Sequence, residues 1–372
     1  MLKILHTADI HLGARFPGLG KTGDRLRVIA KETFSRIVDL ALEKQVNLVL
    51  IAGDLFDSNQ VSKTTVEFAL KELSRLGEIP VCILPGTHDC YDATSIYRNL
   101  DQANIPKNIR LFIDSLKPYK MFEGLDLTVY GKPNTSASSR ERPLANLVKM
   151  EGLTKYYVAM AHGSVLIPSK SSETEFPIRP KDIESSDFNY VALGHWHSFY
   201  EVSQGKTKAF YCGSPEQIKF GCKDAGNIIL IELAEDIKVE KIRVGSTFWK
   251  ELELSTEKFK SNSEIAGEIE KHQNEMTLLK AKISGVFPTD SDFNASKIQQ
   301  ELYDKFLHLV VEDNTAVMPE DFVNLKLSGN TILGQFVEIM DQKIKASTPQ
   351  DKEKLEKALK TGYALLTGKE IF

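Results

Sequence analysis

Cysteine is scarce in this 372-residue chain, and none of its four cysteines belongs to a C-x-x-C pair. A disulfide framework or a cysteine-based zinc site is therefore not expected, and a reduced protein is the simplest interpretation. Long apolar runs are also missing: no stretch approaches the length of a membrane span, and the N-terminus lacks the apolar core of a secretory signal. We therefore expect a cytoplasmic protein that does not cross a membrane.

The sequence also lacks an excess of one charge. Forty-seven basic and 51 acidic residues give a net charge of -4, which excludes a polycation that binds nucleic acid through its total charge. Any such binding needs a local basic surface instead. The length predicts two or three domains with a core large enough to be stable without crosslinks.

Histidine, in contrast, is concentrated. Six of the eight histidines lie in the first 200 residues, and five of these six fall in short segments that end apolar runs. The five segments, one of which carries a carboxylate and no histidine, are Asp9-Ile10-His11, Gly53-Asp54, Gly86-Thr87-His88-Asp89, His162-Gly163 and Gly194-His195-Trp196-His197. Imidazole and carboxylate without thiolate suit manganese, iron or zinc, and a two-ion phosphoester hydrolase is a common use of such a set.

The first 245 residues alternate short apolar runs with amphipathic stretches. Helical spacing covers Val28–Gln45 and Val66–Leu76. The predicted strands are Leu2–Thr7, Asn47–Ala52, Ile79–Leu84, Tyr156–Ala161, Tyr190–Leu193, Ala209–Cys212 and Asn227–Leu233. Buried strands separated by helices predict a layered α/β domain, whose chemistry collects beyond the carboxyl ends of the strands. The strands after about residue 156 are separated mainly by loops, which predicts a partly antiparallel second sheet.

The pattern changes after Val244-Gly245. Three strands and two helices predict a small α/β unit, and two helices follow, the first over Thr331–Ile344 with one apolar face. We therefore predict domains at 1–245, 246–322 and 323–372.

The candidate residues differ in the role that their position favours. Asp9 and His11 are two residues apart on extended backbone, so their side chains point the same way. Asp54 is our choice for a ligand shared by two ions, since a carboxylate can bridge cations. His88, flanked by Asp89, suits a general acid or an oxyanion partner. Asp57 either supports a metal ligand or is simply exposed to solvent, and the sequence favours neither interpretation.

Together these segments resemble the calcineurin-like metallophosphoesterases, whose motifs occur in the order D-x-H, G-D, G-N-H-D or G-N-H-E, a histidine before a small residue, and G-H-x-H. Within that superfamily the chain resembles the DNA-repair exonuclease branch, the SbcD-type nuclease subunits. The residues that carry this likeness are His6 to Gly13, Ala52 to Asp57, Gly194 to His197, and Tyr211-Cys212-Gly213-Ser214-Pro215-Glu216.

The resemblance implies a β-sandwich flanked by helices, with a small α/β cap and a helical tail. It also implies two divalent ions, with manganese favoured and zinc or iron as alternatives. One ion would be held by Asp9, His11, Asp54 and His197, and the other by Asp54, His162, His195 and the residue at position 87. The catalytic residues would be His88 and Asp89.

One position departs from the family pattern, because Thr87 stands where asparagine is usual. A threonine hydroxyl is shorter than an amide and is a poorer metal donor. We therefore expect a weaker second ion site, with the fold unaffected.

The resemblance further implies DNA as substrate, an SMC-like ATPase of the SbcC type as partner for the tail helices, and a homodimer. Phosphate contacts are expected from the basic residues after the first motif, which are Arg15, Lys21, Arg25 and Arg27.

Three functions are open at this point. The first is a manganese-dependent DNA exo/endonuclease. The second is a phosphodiesterase or phosphatase on small or protein substrates, against which the cap and tail argue. The third is a DNA-binding scaffold with a weakened metal site, for which Thr87 is the only support.

Overall fold

The computed structural model describes residues 1–100, 105–145, 147–167, 171–256, 258–259, 261–288, 293–318 and 331–366. The chain forms two compact units, one ending at Thr247 and the other starting at Phe248. The three-domain division stays a prediction, because its second boundary at 322/323 lies outside the described residues.

The first unit contains a mixed sheet of order β12-β11-β1-β2-β3-β4. Its strands are β1 (Leu2–Thr7), β2 (Leu48–Ala52), β3 (Val81–Leu84), β4 (Ile109–Leu111), β11 (Asn227–Leu233) and β12 (Ile237–Arg243). The strands β1 to β4 run parallel, whereas β11 pairs antiparallel with β1 and β12. Every residue of β2 and β3 is buried, as expected for strands covered on both faces.

The second sheet has the order β5-β6-β7-β8-β10-β9. Its strands are β5 (Tyr119–Phe122), β6 (Leu127–Gly131), β7 (Tyr156–His162), β8 (Tyr190–Gly194), β9 (Tyr200–Glu201) and β10 (Lys208–Tyr211). The inner strands are parallel, and β5 and β9 add antiparallel edges. The expected partly antiparallel character is confirmed.

The two sheets pack face to face. Ile4, Leu50 and Cys82 of the first sheet share a buried cluster with Val158 and Ala192 of the second. The outer face of the first sheet packs against α1 (Gly20–Glu43) and α2 (Lys63–Ser74). Shorter helices follow at α3 (Ile96–Asn99) and α4 (Pro180–Glu184). The predicted layered sandwich flanked by helices is therefore confirmed.

The carboxyl ends of the strands position the candidate residues. Asp9 and His11 follow β1, Asp54 follows β2, and Thr87 and His88 follow β3. His162 is the last residue of β7, and His195 and His197 follow β8. Because these strands are parallel within each sheet, their ends meet at one edge of the sandwich.

The second unit contains a parallel sheet of order β13-β14-β15. Its elements are β13 (Phe248–Ser255), α5 (Asn262–Glu270), β14 (Asn274–Pro288), α6 (Ala295–Leu302), β15 (Phe306–Met318), α7 (Ile332–Lys345) and α8 (Pro349–Leu366). Ile265 and Ile298 of the helices pack on Leu279, Ile283 and Leu309 of the sheet. Each unit thus has its own apolar core. Among the described residues, no helix combines the length and the apolar character needed to span a membrane.

Five strands were absent from the sequence prediction, namely β4, β5, β6, β9 and β12. Four of them lie at or near sheet edges and are short or partly exposed, which gives a weak hydrophobic pattern. The predicted helices were placed correctly, but α1 begins eight residues earlier than Val28.

Candidate metal centre

The strand-end residues converge on one buried cluster. His11 Nε2 lies 3.2 Å from His197 Nε2 and 3.8 Å from Asp54 Oδ2. On the other side of Asp54, His162 Nε2 lies 3.2 Å from the same Oδ2. Asp9, with both carboxylate oxygens bonded by the backbone N–H of His195 at 2.9 and 3.0 Å, completes the arrangement.

Three groups of three candidate ligands are found among the described residues, each with ligand atoms within 4.8 Å of one another. They comprise Asp9, His11 and His197; Asp9, Asp54 and His162; and His11, Asp57 and His88. Asp9 is common to the first two groups, and the sequence prediction gave the shared position to Asp54. Asp54 Oδ2 nevertheless lies between His11 and His162, so either carboxylate has access to both sides.

Thr87 contributes a hydroxyl at the second group. Its Oγ1 donates to Asp54 Oδ2 at 3.3 Å and lies 3.4 Å from His162 Nε2. The Thr87 side chain thus lies beside two members of the second group. In this chain, the Thr87 hydroxyl donates a hydrogen bond to the carboxylate of Asp54, which is itself a candidate ligand.

His195 lies beside the cluster, and its role as a ligand stays a prediction. Its ring lies 5.4 Å from that of His162, centroid to centroid, and its Nε2 lies 3.8 Å from Glu175 Oε2. His195 is in none of the three groups. Its backbone N–H donates to both carboxylate oxygens of Asp9.

His88 lies at the exposed side of the cluster. Its backbone N–H donates to Asp54 Oδ1 at 2.8 Å, and its Nδ1 lies 2.9 Å from the carbonyl oxygen of Asp57. Because a carbonyl only accepts, Nδ1 carries the hydrogen, and Nε2 remains available for proton transfer. The His88 ring meets that of His11 edge-on at 4.6 Å.

Asp89 faces away from this surface. Its carboxylate is fully buried and accepts hydrogen bonds from the backbone of Gly86 and Phe56 and from the hydroxyl of Tyr97, at 2.7, 3.2 and 2.6 Å. These contacts fix the turn that carries Thr87 and His88. The geometry therefore gives Asp89 a positioning task.

Asp57, left open by the sequence, orients a ligand. Its Oδ1 accepts from His11 Nδ1 at 3.2 Å, which leaves His11 Nε2 facing the cluster. His162 is oriented in the same way, since its Nδ1 donates to the carbonyl of Ala52 at 2.9 Å. Such contacts fix the tautomer and the direction of a metal-binding imidazole.

The backbone at the site is unusual. Asp9, His11 and Asp54 have φ values of 52°, 50° and 51°, in the left-handed region that costs non-glycine residues energy. Close approach also demands glycine: a Cβ at Gly53 would lie 2.0 Å from His162 Nδ1, and one at Gly86 would lie 2.2 Å from Asp54 Oδ1. The strained backbone and the absence of a Cβ at Gly53 and Gly86 together allow the candidate ligand side chains to converge.

The buried carboxylates of the site favour the binding of a cation. Asp9 and Asp54 are 0% and 1% exposed, and no lysine or arginine within the described residues pairs with either. Burial raises the pKa of Asp9 to about 6. At Asp54 burial acts the same way, but His162 and His11 outweigh it and lower the pKa below its ordinary value. Two buried carboxylates with only imidazole partners are costly unless positive charge joins them.

The histidines fit the same need. Burial lowers the pKa of His197 well below its ordinary value, so this ring is neutral and offers a lone pair. Its Nδ1 has no hydrogen-bond partner among the described residues, and its Nε2 faces that of His11. Two facing imidazole nitrogens avoid repulsion by sharing either a proton or a metal ion. The donor set of imidazole and carboxylate therefore fits divalent metal ions.

The predicted DNA contacts are brought together only in part. Arg15 and Arg27 line one cavity of about 740 Å³ with Lys31, but the charge of Arg27 is offset by an ion pair with Asp24. Lys21 and Arg25 are exposed on α1 outside that cavity.

The chain is similar in sequence to several curated proteins. The chain is 29% identical over 262 residues to "DNA double-strand break repair protein Mre11" of Sulfurisphaera tokodaii, which covers 65% of this chain and 62% of that protein. It is 27% identical to "Uncharacterized metallophosphoesterase YhaO" of Bacillus subtilis, covering 67% and 62%. Both matches thus span less than two thirds of the relative's length.

A longer match extends over both units. The protein of the same description from Sulfolobus acidocaldarius is 26% identical over 372 residues, covering 95% of this chain and 92% of that protein. In addition, the family model for calcineurin-like phosphoesterases matches residues 2–199, more than half of the chain. The predicted relationship is confirmed: this chain belongs to the calcineurin-like phosphoesterase family.

Proposed function

We propose that this chain is a metal-dependent DNA nuclease that hydrolyses phosphodiesters with two divalent ions. The observation that carries the proposal is Asp54 Oδ2, which lies between His11 Nε2 and His162 Nε2 with Asp9 beside both. Membership in a phosphoesterase family supports the reaction, and the double-strand break repair description of its relatives supports DNA as substrate.

Asp9, His11 and His197 would hold one ion, and Asp9, Asp54, His162 and Thr87 would hold the other, with manganese the favoured metal. Bound divalent ions would neutralise the charge that develops on the phosphodiester during hydrolysis. The chain's own residues orient this centre: Asp57 and the Ala52 carbonyl fix the two imidazoles, and the His195 backbone fixes Asp9.

His88 would transfer a proton to the leaving oxygen. It is the exposed member of the cluster, and the Asp57 carbonyl at 2.9 Å fixes its tautomer. Asp89 would act indirectly, because its carboxylate bonds to Gly86 and Tyr97 and so supports the turn that carries His88. Removing a general acid costs about 10²–10⁴-fold in rate.

The deciding experiment is nucleotide release from linear duplex DNA by the purified chain with added manganese. Wild-type protein is expected to release nucleotides, and His88→Ala is expected to lose most of this activity while still binding metal. Hydrolysis of small phosphodiesters without any cleavage or binding of DNA would instead support the second function. DNA binding without turnover, with activity gained in Thr87→Asn, would support the scaffold.

The partner proposals rest on the second unit, with its proposed cap over 246–322 and tail over 323–372. Val337 and Met340 of α7 pack on Leu359 of α8. Ile332 and Ile339, seven residues apart on α7, are 76% and 53% exposed, which leaves an apolar stripe that suits a helical partner. We propose that an SMC-like ATPase covers it. Ile339→Asp should abolish binding of such a subunit, and sedimentation of the chain alone tests the proposed homodimer.

A further inference from the structure

A second cavity adjoins the candidate metal centre. It has a volume of about 650 Å³, and His195 and His197 form part of its wall. The other lining residues that matter here are Trp196, Tyr200, Lys219, Cys222 and Lys223. None of these five residues is a candidate metal ligand, so the function proposed above does not explain their presence in the cavity wall.

One wall of the cavity is aromatic and held rigidly. The Trp196 ring stacks on Tyr211 at 5.1 Å with 17° between the planes, and its Nε1 donates to Ser164 Oγ at 2.9 Å. Tyr200 leans on Trp196 at 5.4 Å, and 45% of Tyr200 is exposed. An aromatic cluster that served only to fill the core would be buried. This one presents the Tyr200 ring to solvent beside the fixed ring of Trp196, as proteins that stack unpaired bases do.

A cavity that binds a nucleic-acid strand also needs positive charge for the phosphates, and two lysines supply it. Lys219 and Lys223 are exposed, and neither has a carboxylate within ion-pair distance among the described residues. Lys219 lines the same cavity as His195 and His197, so its ammonium group lies on a cavity that borders the metal centre.

We propose that this cavity binds the nucleotide that adjoins the scissile phosphate in a single-stranded DNA segment. The base would stack on Tyr200 beside Trp196, and Lys219 would contact the neighbouring phosphate. The inference rests on the proposed nuclease function, since the scissile phosphate must sit at the histidines that the cavity shares with the centre. A base can reach the ring only when it is unpaired, so the strand end must be frayed or single-stranded.

Cys222 provides a probe of occupancy that needs no catalysis. It is partly exposed within the cavity, whereas Cys82, Cys90 and Cys212 are buried. The measurement is the rate of Cys222 alkylation by iodoacetamide in EDTA, followed by peptide mass spectrometry. A single-stranded oligothymidylate should slow alkylation about tenfold, and a blunt duplex should protect much less. An unchanged rate with oligothymidylate overturns the inference.

Substitutions separate stacking from charge. Tyr200→Ala should weaken oligothymidylate binding about tenfold by fluorescence anisotropy in EDTA, and Tyr200→Phe should restore it, because stacking uses the ring and not the hydroxyl. Lys219→Glu should weaken binding and flatten its salt dependence. Lys206→Glu, the same charge change on an exposed lysine outside the cavity, serves as the matched control and should bind as wild type. Equal affinity in all four variants refutes the inference.

Two sets of measurements distinguish the two proposals. Hydrolysis of bis(p-nitrophenyl) phosphate and of DNA by the wild-type chain with manganese tests the nuclease function, and protection of Cys222 tests the nucleotide subsite. DNA cleavage without Cys222 protection refutes the nucleotide subsite and leaves the nuclease function in place. Cys222 protection without DNA cleavage refutes the nuclease function, while the cavity remains a binding site for single strands. Cleavage together with protection supports both.

Discussion

His162 and Asp54 face each other at the centre of the candidate site, with Nε2 and Oδ2 3.2 Å apart and both side chains buried. Burial alone would lower the pKa of His162, but the carboxylate of Asp54 outweighs it and raises this pKa to about 9. Without a metal ion, the pair is therefore held by a proton on His162. A metal ligand must be deprotonated, so an ion that binds here has to displace that proton.

Metal binding should consequently release protons at neutral pH. The affinity of this site should rise as the pH increases towards about 9, because progressively less of His162 is protonated. Calorimetric manganese titrations in buffers of different ionisation enthalpy measure the number of protons released. In His162→Asn, we expect the released proton to disappear, together with one bound ion and at least about 100-fold of the phosphodiesterase activity. Proton release unchanged in this variant would contradict the assignment.

We expect Thr87 to set the strength of the proposed second ion site. Its hydroxyl is engaged with Asp54 Oδ2 at 3.3 Å, and an asparagine amide oxygen would reach further and donate better to a hard ion. Thr87→Asn should therefore raise the affinity for the second manganese ion by about tenfold, measured by calorimetry. Thr87→Val, which keeps the shape and removes the hydroxyl, is the matched control and should not raise it.

Asp57→Asn tests whether the binding of metal by His11 depends on the contact that orients this ring. Its contact with His11 Nδ1 at 3.2 Å directs the opposite nitrogen to the cluster. Asp57→Asn should lower metal affinity about 10- to 100-fold, as expected for a residue that orients a ligand. Asp236→Asn, at an exposed aspartate far from the site in sequence, controls for the loss of one negative charge. Equal metal affinities in the two variants would show that His11 needs no such support.

The convergence of the candidate residues could be predicted from the sequence where strand geometry decides it. Asp9, Asp54 and His162 each follow or end a parallel strand, so their convergence is a consequence of the fold. Contacts from loops were not predictable in the same way. Nothing in the spacing indicates that Glu175 would face His195 Nε2, or that Asp57 would lie near both His11 and His88.

The missed strands have a similar explanation. β6 (Leu127–Gly131) is fully buried, and its apolar run was available in the sequence. Its partner β5 is mostly half-exposed and gave no pattern to pair it with. β12 exposes most alternate residues at a sheet edge, where its charged side chains resemble those of a loop. Pairing between strands, and not the composition of either one, defines such edges.

Glu216 should matter for stability, although it lies outside the metal centre. Its buried carboxylate accepts hydrogen bonds from Thr33 Oγ1 at 2.8 Å on α1 and from Thr247 Oγ1 at 2.6 Å, and also from the Ser246 backbone. Glu216→Ala leaves these donors without a partner and should lower the free energy of unfolding by about 3 kcal/mol. Urea denaturation measures this, with exposed Glu235→Ala as control. A loss below about 0.5 kcal/mol would refute the role of this network.

His6 should make the fold sensitive to acid. It is fully buried against the Tyr190 hydroxyl, 2.9 Å from Nδ1, and burial lowers its pKa from 6.5 to about 3. In the unfolded chain the imidazole is protonated below pH 6.5, so the unfolded state binds more protons there. The contribution is fully favourable above that pH and is lost as the pH falls towards about 3, at up to about 1.4 kcal/mol per pH unit.

The test is urea unfolding between pH 7 and about 4 in EDTA, comparing wild type with His6→Asn. The variant removes the titrating group, so its stability should fall less steeply over this window. The matched control is His272→Asn, which replaces a histidine outside the buried cores and should retain the wild-type slope. Parallel slopes for wild type and His6→Asn would mean that His6 is protonated in the folded state, in conflict with its burial.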